Sequence, residues 1–258
     1  MSKRVCAIIQ ARMSSTRLPG KVLKPVRGRP LLAHMMERVS RAHNLHEIVV
    51  ATTVSGADAE IVGLCEKSGF ACFRGSEDDV LDRYYQAALQ MKCDVVVRLT
   101  GDCPLIDPKV IDDVIGAYLS GHYDYVANTA PPVGTFPDGM DVEVFSFGAL
   151  ERAWREAMKP SEREHVTFYF WKNPQLFSTF RYDLPEDLSK YRLTVDYPQD
   201  FEVISSVLTE LYPQNPQFSM EEVITFLEAH PDILAKNAHV AWNLGWQPAL
   251  ERDRQRGF

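Results

Sequence analysis

Residues 5–21 read VCAIIQARMSSTRLPGK, and this stretch decides the fold class. It begins with an apolar run at 5–9, which predicts a buried β-strand. A loop of small, hydroxyl-bearing and Gly/Pro residues follows at once and carries three cations, Arg12, Arg17 and Lys21. Backbone N–H groups and fixed positive charge can approach a polyphosphate in such a loop, so the pattern favours an α/β protein that binds phosphates.

Strand and helix signals alternate through the first half of the chain. Further apolar runs predict strands, and amphipathic patterns predict the helices between them. The predicted strands lie at 47–53, 71–74, 94–99 and 123–128, and the predicted helices lie at 30–39, 57–68, 78–91 and 108–119. Five strands separated by helices are typical of a Rossmann-like, doubly wound α/β fold with a mostly parallel sheet and right-handed crossovers.

The alternation ends near residue 130, and the remaining segments are mixed. A loop with Pro131 and Pro132 precedes an antiparallel strand at 141–144. Further strands are predicted at 177–182 and 191–195, and further helices near 148–157, 161–172, 198–211, 219–229 and 231–242. We therefore expect one domain over residues 1–258, with a mixed α+β insertion at 130–182 and a charged C-terminal tail at 236–258.

Charge and composition limit the possible partners. The 258 residues include 28 Lys and Arg against 35 Asp and Glu, which gives a net charge of −7. This balance argues against non-specific binding to nucleic acid or to an anionic membrane surface. No stretch approaches the roughly 18 apolar residues of a membrane span, and the first apolar run is too short for a signal peptide. Five cysteines without a C-x-x-C pair indicate reduced thiols, so we expect a cytoplasmic protein.

Polar residues follow the predicted strands directly. In an open α/β sheet these positions converge at the carboxyl edge, where ligands bind. They are Gln10 and Arg12, Thr52 and Thr53, Arg74, Thr100 to Asp102, and Asp196. Asp102 and Asp196 beside a cationic loop suit Mg²⁺, which takes one or two carboxylates and fills its other positions with phosphate oxygens and water.

Each of these side chains also has a plain structural interpretation. A single loop cation is commonly solvated, Asp102 could form a turn before Pro104, and Asp196 could cap the helix that follows it. We expect Cys103 to be a packing residue, and His165 has a surface or core role by default. The combination of the loop with two aspartates nevertheless favours a phosphate site.

Six segments resemble the cytidylyltransferase family that makes CMP-activated acidic sugars, which includes the 3-deoxy-manno-octulosonate and acylneuraminate cytidylyltransferases. Three of them are ARMSSTRLPGK at 11–21, TGDCPLI at 100–106 and TVDYP at 194–198. The other three resemble the spore-coat polysaccharide biosynthesis branch; they are FRGSEDDVLDRY at 73–84, PDGMDVEV at 137–144 and SEREH at 161–165. The resemblance covers about residues 3–205 and implies that CMP is transferred from CTP.

The resemblance also implies roles for individual residues. Arg12 and Lys21 would hold the triphosphate and Asp102 and Asp196 would bind Mg²⁺, and these four form the implied catalytic set. The segment 74–83 would contact the cytosine base. The implied nucleotide-binding set is Gln10, Ala11, Arg12, Lys21, Thr52, Arg74, Asp79, Asp82, Arg83 and Thr100. The implied acceptor-binding set is Asp138, Asp141, Glu143, Glu164 and His165.

The chain departs from the better-known sugar-acid enzymes on the acceptor side. Gln10 stands where their first motif has Pro, Thr100 replaces a Gln, and segment 137–144 is unlike theirs. The acceptor therefore stays open between an acidic sugar, a sugar phosphate and a phosphonate. The resemblance also implies a homodimer through the insertion at 130–182, which is rich in aromatic residues.

We therefore expect a Mg²⁺-dependent cytidylyltransferase that transfers CMP from CTP to an acidic, sugar-like acceptor for surface polysaccharide synthesis. Two other functions remain open. A glycosyltransferase that uses a nucleotide sugar would have a similar fold, but such enzymes commonly use an Asp-x-Asp metal motif, and no two aspartates here are two positions apart. A non-catalytic nucleotide-binding protein would not need both aspartates together with Lys21.

Overall fold

A computed structural model describes residues 3–129, 134–240 and 246–258. These residues form one 7-stranded sheet with helices on both faces, together with a two-stranded hairpin. The expected loop at Pro131 and Pro132 lies outside the described residues. Within the described ranges, no helix has the length and apolar character needed to cross a lipid bilayer.

The elements alternate in the first half of the chain as the sequence predicts. The strands are β1 (Val5–Gln10), β2 (Pro25–Val26), β3 (Arg29–Pro30), β4 (Glu47–Thr53), β5 (Ala71–Gly75), β6 (Val95–Thr100), β7 (Tyr125–Ala127), β8 (Glu143–Ser146) and β9 (Thr179–Arg181). The helices are α1 (Leu31–Val39), α2 (Ala59–Ser68), α3 (Val80–Met91), α4 (Pro108–Ser120), α5 (Phe147–Glu156), α6 (Pro160–His165), α7 (Phe168–Lys172), α8 (Pro198–Gln214), α9 (Met220–Ala229), α10 (Pro231–Leu234) and α11 (Gln247–Gln255).

The strand order in the large sheet is β5-β4-β1-β6-β8-β7-β9. The first four of these strands pair in parallel, β8 runs antiparallel between β6 and β7, and β9 pairs in parallel with β7. This arrangement confirms the mostly parallel, doubly wound α/β fold. The chain leaves β1 toward β4 on one side and later returns to β6 on the other side, which opens a crevice at the carboxyl ends of these strands.

Alternate residues of each central strand pack against different helix layers. Val5, Ala7 and Ile9 of β1 belong to the core on the first face, which includes buried residues of α1, α4, α8 and α9. Cys6 and Ile8 belong to the core on the second face, which includes residues of α3, α5 and α7. Because side chains alternate across a strand, Gln10 of β1 and Thr100 of β6, which lie opposite each other, both continue the second face.

Helix starts follow local sequence signals. Pro108 and Pro198 each occupy the first turn of a helix, where proline is tolerated because its missing N–H needs no partner there. Asp79 precedes α3, and its Oδ1 accepts a hydrogen bond from Asp82 N at 2.9 Å.

Four predictions in the second half differ from the structure. Residues 191–195 are extended but form no strand, because only one isolated bridge, between Asp138 and Arg192, pairs them with a neighbour. The predicted helix at 161–172 is divided into α6 and α7. The predicted helix at 231–242 is helical only at Pro231–Leu234, and its residues 241–242 lie outside the described residues. The charged C-terminal tail, for which no helix was predicted beyond residue 242, contains the helix α11.

The aromatic residues of the segment 130–182 are largely buried within the chain. Phe145 lies on β8 inside the main sheet, and its ring centroid is 5.0 Å from that of Phe170. Phe168 is also buried. Phe145 and Phe170 belong to the core on the second face and Phe136 to the core on the first face, whereas Phe180 is 39% exposed. The homodimer stays a prediction, and this burial gives it no support.

Candidate active site

The cationic loop at 11–21 is held at the carboxyl edge of the sheet by a buried carboxylate that sequence reasoning missed. Asp58 accepts hydrogen bonds from Met13 N at 2.8 Å, from Thr52 Oγ1 at 2.9 Å and from Thr53 N at 3.0 Å. Burial opposes ionisation, but these donors outweigh it and lower the pKa of Asp58. Thr52 is fully buried, and it stabilises the loop through its hydrogen bond to Asp58.

The loop at 11–21 carries backbone donors without partners among the described residues. In the part of the chain that the structure describes, the backbone N–H groups of Arg12, Ser14, Thr16 and Arg17 have no hydrogen-bond partner. The side chain of Arg12 is exposed and forms no ion pair with any described residue. Free N–H groups and a free cation in one turn are the features with which loops bind phosphate oxygens.

Lys21 brings together two aspartates that are far apart in the sequence. Its Nζ lies 2.8 Å from Asp102 Oδ2 and 2.9 Å from Asp196 Oδ1. Asp102 follows β6, whereas Asp196 lies in the extended segment that crosses the same edge. Val195 N donates to the Asp102 carbonyl oxygen at 2.8 Å, which fixes the two segments side by side. Arg17 adds a second cation, 2.6 Å from Asp196 Oδ1.

Lys21 and Asp102 each stabilise the charged form of the other. Burial alone would raise the pKa of Asp102, but the Lys21 ammonium outweighs burial and lowers it to about 2. Burial would likewise lower the pKa of Lys21, but Asp102 and Asp196 outweigh burial and raise it. Lys21 and Asp102 are therefore both charged throughout the ordinary pH range.

Arg192 and Asp200 support Asp196, and sequence reasoning missed both. Asp200 is fully buried, and its Oδ2 accepts hydrogen bonds from the backbone N–H groups of Asp196 and Tyr197, each at 2.9 Å. Arg192 Nε donates to Asp200 Oδ1 at 2.9 Å, and its Nη1 lies 2.5 Å from Asp138 Oδ2. An arginine among three carboxylates compensates their charge and orients the loop that carries Asp196.

Asp138 and Asp141, two of the implied acceptor-binding residues, sit on a tight turn against this segment. Gly139 has φ +104°, and a Cβ there would lie 2.5 Å from Leu193 C, so only glycine fits. Asp141 Oδ2 accepts a hydrogen bond from Gly139 N at 2.9 Å. Burial raises the pKa of Asp141 to about 6 and that of Asp138 well above its usual value. Acidic side chains therefore crowd this part of the crevice.

Cys103 is a packing residue, as expected. It is 2% exposed, and burial raises the pKa of its thiol well above the usual value. Its Sγ contacts Thr100 Oγ1 at 3.2 Å and Asp141 Oδ2 at 3.6 Å. The thiol therefore packs between the carboxyl end of β6 and the turn that carries Asp141.

The implied base-binding segment places two cations near the loop. Arg83 is 2% exposed, and its Nη1 donates to the Ser76 carbonyl oxygen at 2.6 Å. Burial lowers the pKa of Arg83, and the nearby positive charge of Arg12 acts in the same direction. Within the described residues, Arg83 Nε is buried without a hydrogen-bond partner. Arg74 instead binds the backbone of β4, because its Nε donates to the Thr53 carbonyl oxygen at 3.0 Å.

Asp79 and Asp82 each bind a donor of a neighbouring helix. Arg163 Nη2 lies 2.5 Å from Asp79 Oδ2, which joins α3 to α6. Trp154 Nε1 donates to Asp82 Oδ1 at 2.9 Å, which joins α3 to α5. Both carboxylates therefore have protein partners, and their contact with the nucleotide stays a prediction.

Three further residues of the implied nucleotide set lie at the ends of β1 and β6. Ala11 is buried, and its N–H donates to the Ala51 carbonyl oxygen at 3.2 Å. Gln10 and Thr100 lie opposite each other in the parallel pairing of β1 and β6. A Cβ at Gly101 would lie 2.9 Å from the Gln10 carbonyl oxygen, so glycine allows this close approach.

On the second face, Glu143 is bound to two protein donors. It forms an ion pair with Arg98 Nη1, and its Oε1 accepts a hydrogen bond from Tyr125 OH at 2.6 Å. Arg98 lies directly opposite Glu143 in the pairing of β6 with β8. Sequence reasoning missed Arg98, because an arginine inside an apolar strand shows its partner only once the strands are paired.

His165 ends α6 beside a strained turn. Val166 has φ +55° and ψ −64°, and Thr167 N donates to the His165 carbonyl oxygen at 2.5 Å, which forms a γ-turn. A β-branched residue in this conformation costs about 1–3 kcal/mol, and such strain clusters at functional sites. Burial lowers the pKa of His165 to about 3, so its imidazole is neutral.

The C-terminal helix holds α6 in place. Asp253 accepts hydrogen bonds from Ser161 N at 2.9 Å and from Ser161 Oγ at 2.5 Å. Glu164, the remaining implied acceptor residue, forms an ion pair with Arg252. Part of the expected tail is therefore a support for the turn that carries His165.

Asp102 and Asp196 fit a divalent cation by their donor chemistry. Both carboxylates approach the single Lys21 ammonium within hydrogen-bond distance, so they already converge on one positive charge. No group of three or more His, Cys, Asp or Glu side chains that could hold a metal occurs among residues 3–129, 134–240 and 246–258. Two carboxylates suffice for Mg²⁺ when a bound nucleotide supplies phosphate oxygens.

Comparison with known proteins identifies the same family as the motifs. The family described as Cytidylyltransferase matches residues 6–228. An uncharacterized protein of Methanocaldococcus jannaschii is 39% identical over 239 residues, which cover 92% of this chain and 96% of that protein. The spore coat polysaccharide biosynthesis protein SpsF of Bacillus subtilis is 35% identical over 231 residues, which cover 87% of this chain and 94% of that protein.

A solved structure has the same fold. It is a cytidylyltransferase from Leptospira borgpetersenii, which superposes with a TM-score of 0.85 at 36% identity and covers 90% of this chain and 97% of that one. The resemblance drawn from the sequence motifs is therefore confirmed at the level of the family.

Proposed function

This chain belongs to the cytidylyltransferase family and is a nucleotidyltransferase, and from that premise we propose that it transfers CMP from CTP to an acidic sugar or a related acid, with Mg²⁺ as cofactor and pyrophosphate as the second product. One observation carries the proposal: Lys21 contacts both Asp102 and Asp196 beside a loop with free N–H groups. A purely structural role would not require two separated carboxylates to meet at a phosphate-binding loop.

The reaction is an in-line displacement at the α-phosphorus of CTP. An oxygen of the acceptor forms the new bond to phosphorus, the bond to the bridging oxygen of the β-phosphate breaks, and the proton of the acceptor hydroxyl passes to solvent. Arg12 and Lys21 would hold the phosphates and offset the charge that develops on the departing pyrophosphate. Catalysis then depends on positioning and charge compensation, because the phosphates already supply a good leaving group.

Asp102 and Asp196 would hold the Mg²⁺ ion. When bound, the ion supplies positive charge at the reacting phosphate and lowers the pKa of the acceptor hydroxyl. Asp200 and Arg192 would keep Asp196 in place, since they fix its backbone and its carboxylate.

The acceptor would bind on the side of the crevice formed by the turn at 137–141, by the start of β8 and by the end of α6. Among the described residues, Arg98 Nε and His165 Nε2 are buried donors without a partner, whereas Arg192 is occupied by carboxylates of its own segment and of the turn at 138. The likeness to a spore coat polysaccharide biosynthesis protein supports a role in the synthesis of a surface glycan. Five free thiols support a reducing, cytoplasmic location.

We expect the enzyme to prefer CTP. If the segment 74–83 surrounds the base, hydrogen bonds to cytosine leave polar groups unpaired with another base, and kcat/KM for UTP, ATP and GTP should each be lower by on the order of 100-fold or more. The measurement is pyrophosphate release with each nucleotide, Mg²⁺ and a panel of acceptors that includes 3-deoxy-manno-octulosonate, N-acetylneuraminate and a phosphonate.

Reactions without an acceptor and without Mg²⁺ serve as controls for slow hydrolysis. Equal rates with ATP and CTP would show that the enzyme is not specific for cytidine, although it would still be a nucleotidyltransferase. Release of a nucleoside diphosphate from a nucleotide sugar, with no pyrophosphate from CTP, would instead favour the glycosyltransferase.

A further inference from the structure

The C-terminal helix α11 packs against α6 through one face. Ala249 and Asp253 are buried, Trp246 and Leu250 are half-buried, and these four positions have the i, i+3, i+4, i+7 spacing of one helix face. The other residues of α11 are exposed. The helix lies beyond residues 6–228, which the cytidylyltransferase family matches, and the transfer described above does not use it.

Asp253 binds the start of α6 with both of its carboxylate oxygens. Its Oδ1 accepts a hydrogen bond from Ser161 N at 2.9 Å, and its Oδ2 accepts one from Ser161 Oγ at 2.5 Å. Ser161 is fully buried, and Lys172 Nζ of α7 lies 3.5 Å from the same hydroxyl oxygen. Because a buried carboxylate is costly unless it is hydrogen-bonded, these bonds hold α11 and α6 in one relative position.

Trp246, the residue before α11, packs against α7. Its ring meets Phe168 edge-on with a centroid distance of 5.0 Å and stacks on Trp171 with a centroid distance of 6.1 Å. The His165 ring centroid lies 6.5 Å from that of Trp246 and 4.6 Å from that of Phe168. Trp246 therefore packs among the aromatic side chains that surround the imidazole of His165.

These C-terminal contacts lie on both sides of the strained turn. Ser161 precedes the γ-turn at Val166, and Phe168 follows it. A β-branched residue at positive φ persists only where the surrounding structure over-determines its conformation. Asp253 and Trp246 supply such constraints before and after the turn, and they thereby position His165.

The contacts on the nucleotide side come from other elements. Lys21, Asp102 and Asp196 are positioned by hydrogen bonds among the loop, the end of β6 and the segment before α8. The contact of α6 with α3 runs through Arg163 and Asp79, with Nε 3.0 Å from Oδ2, and does not involve α11. Loss of the contacts of α11 should therefore affect the end of α6 more than the nucleotide side.

We propose that α11 determines the affinity for the acceptor, with Asp253 as a positioning residue for His165 and the end of α6. The proposal rests on the proposed function, which places the acceptor beside the end of α6. Without Asp253, only a fraction of the molecules would have the turn at Val166 in the conformation described here. The apparent affinity for the acceptor would fall in proportion to that fraction.

The first test is hydrogen exchange of the full chain, which needs no turnover. Asp253→Ala removes both hydrogen bonds to Ser161, so the amides of 161–172 should exchange at least roughly tenfold faster, while those of β1 and β6 keep their rates. Asp253→Asn keeps one acceptor oxygen, and its exchange rates should lie between those of Asp253→Ala and the unaltered protein. Unchanged exchange over 161–172 in Asp253→Ala would overturn the proposal.

Two further variants show whether the effect passes through Ser161. The double variant Ser161→Ala with Asp253→Ala should exchange no faster than Asp253→Ala alone, because the single change already removes both hydrogen bonds. Glu251→Gln is the matched control on the exposed face of α11, where Glu251 pairs with Arg254 at 3.3 Å, and it should behave like the unaltered protein. Faster exchange over 161–172 in Glu251→Gln as well would contradict a specific role of Asp253.

Turnover gives the second readout. For the acceptor that releases pyrophosphate fastest, Asp253→Ala should raise the KM for the acceptor by roughly 5–30-fold and leave the KM for CTP within about twofold. If Asp253→Ala does not fold, Asp253→Asn gives the same comparison with a rise of roughly 2–5-fold.

An unchanged KM for the acceptor, or an equal rise in the KM for both substrates, would overturn the proposal while transfer itself stands. Faster exchange over 161–172 in Asp253→Ala, with no compound of the panel turned over by the unaltered protein, would instead overturn the proposed function and leave the hold of Asp253 on α6 standing.

Discussion

Replacing Asp102 or Asp196 with asparagine is expected to lower kcat by roughly 10²–10³-fold, because each change removes one of the two carboxylates that would hold the Mg²⁺ ion. Both asparagines can still accept a hydrogen bond from Lys21, so the melting temperature should change by only a few degrees. The measurement is pyrophosphate release from CTP over a range of Mg²⁺ concentrations, with thermal unfolding followed in parallel.

The matched control is Asp113→Asn, which removes an aspartate that pairs with Lys109 on the surface of α4 at 2.6 Å. This exposed ion pair contributes little to the stability of the fold, so activity should stay within about twofold of that of the unaltered enzyme. Near-normal turnover of Asp102→Asn or Asp196→Asn at saturating Mg²⁺ would show that the altered residue is not a ligand.

Lys21→Met should both weaken CTP binding and slow the chemical step. Methionine keeps most of the apolar stem, but it removes the ammonium that would offset charge on the phosphates in the ground state and in the transition state. We expect kcat/KM for CTP to fall by about 10³-fold, with contributions from both parameters. The rates and the KM for CTP are measured at saturating acceptor.

Lys24→Met is the control for this substitution, because Lys24 lies three residues further along the chain and its Nζ is 5.3 Å from the ring of Phe201. It should retain normal kinetics toward CTP. If Lys21→Met were also close to normal, the Lys21 side chain would be a packing element only, and the loop would have to bind phosphate through its backbone alone.

The first half of the fold could be predicted because its signals are local. The apolar run at 5–9, the loop at 11–21 and the alternation up to 128 each carry their own pattern, and the parallel sheet follows from their order. The convergence of Lys21 with Asp102 is consistent with that order, since the carboxyl ends of the neighbouring strands β1 and β6 meet at one edge. Asp196 reaches the same edge through an extended segment that forms no strand.

The second half depends on contacts that the sequence does not show. Residues 191–195 have an apolar strand pattern, but their backbone binds the turn at 138 and the Asp102 carbonyl oxygen instead of a neighbouring strand. The break at Val166 places a β-branched residue at positive φ, which local preference disfavours. Tertiary packing overrides local preference at both places.

The supporting side chains of the site were missed for a related reason. Asp58, Arg98 and Arg192 bind partners on distant segments, namely Met13, Glu143 and Asp138. Asp200 instead binds its near neighbours Asp196, Tyr197 and Arg192 at the start of α8. Asp79 and Asp82 show the opposite case. The motif that contains them matches the family, yet their carboxylates bind Arg163 and Trp154.

The most direct test of CMP transfer is identification of the products formed from CTP labelled at the α-phosphorus. With Mg²⁺ and an acidic sugar from the panel, we expect the label to appear in a CMP ester of the acceptor and one pyrophosphate to be released for each ester formed. Conversion of CTP to CDP and phosphate, or to free CMP with no label on any acceptor, would contradict it.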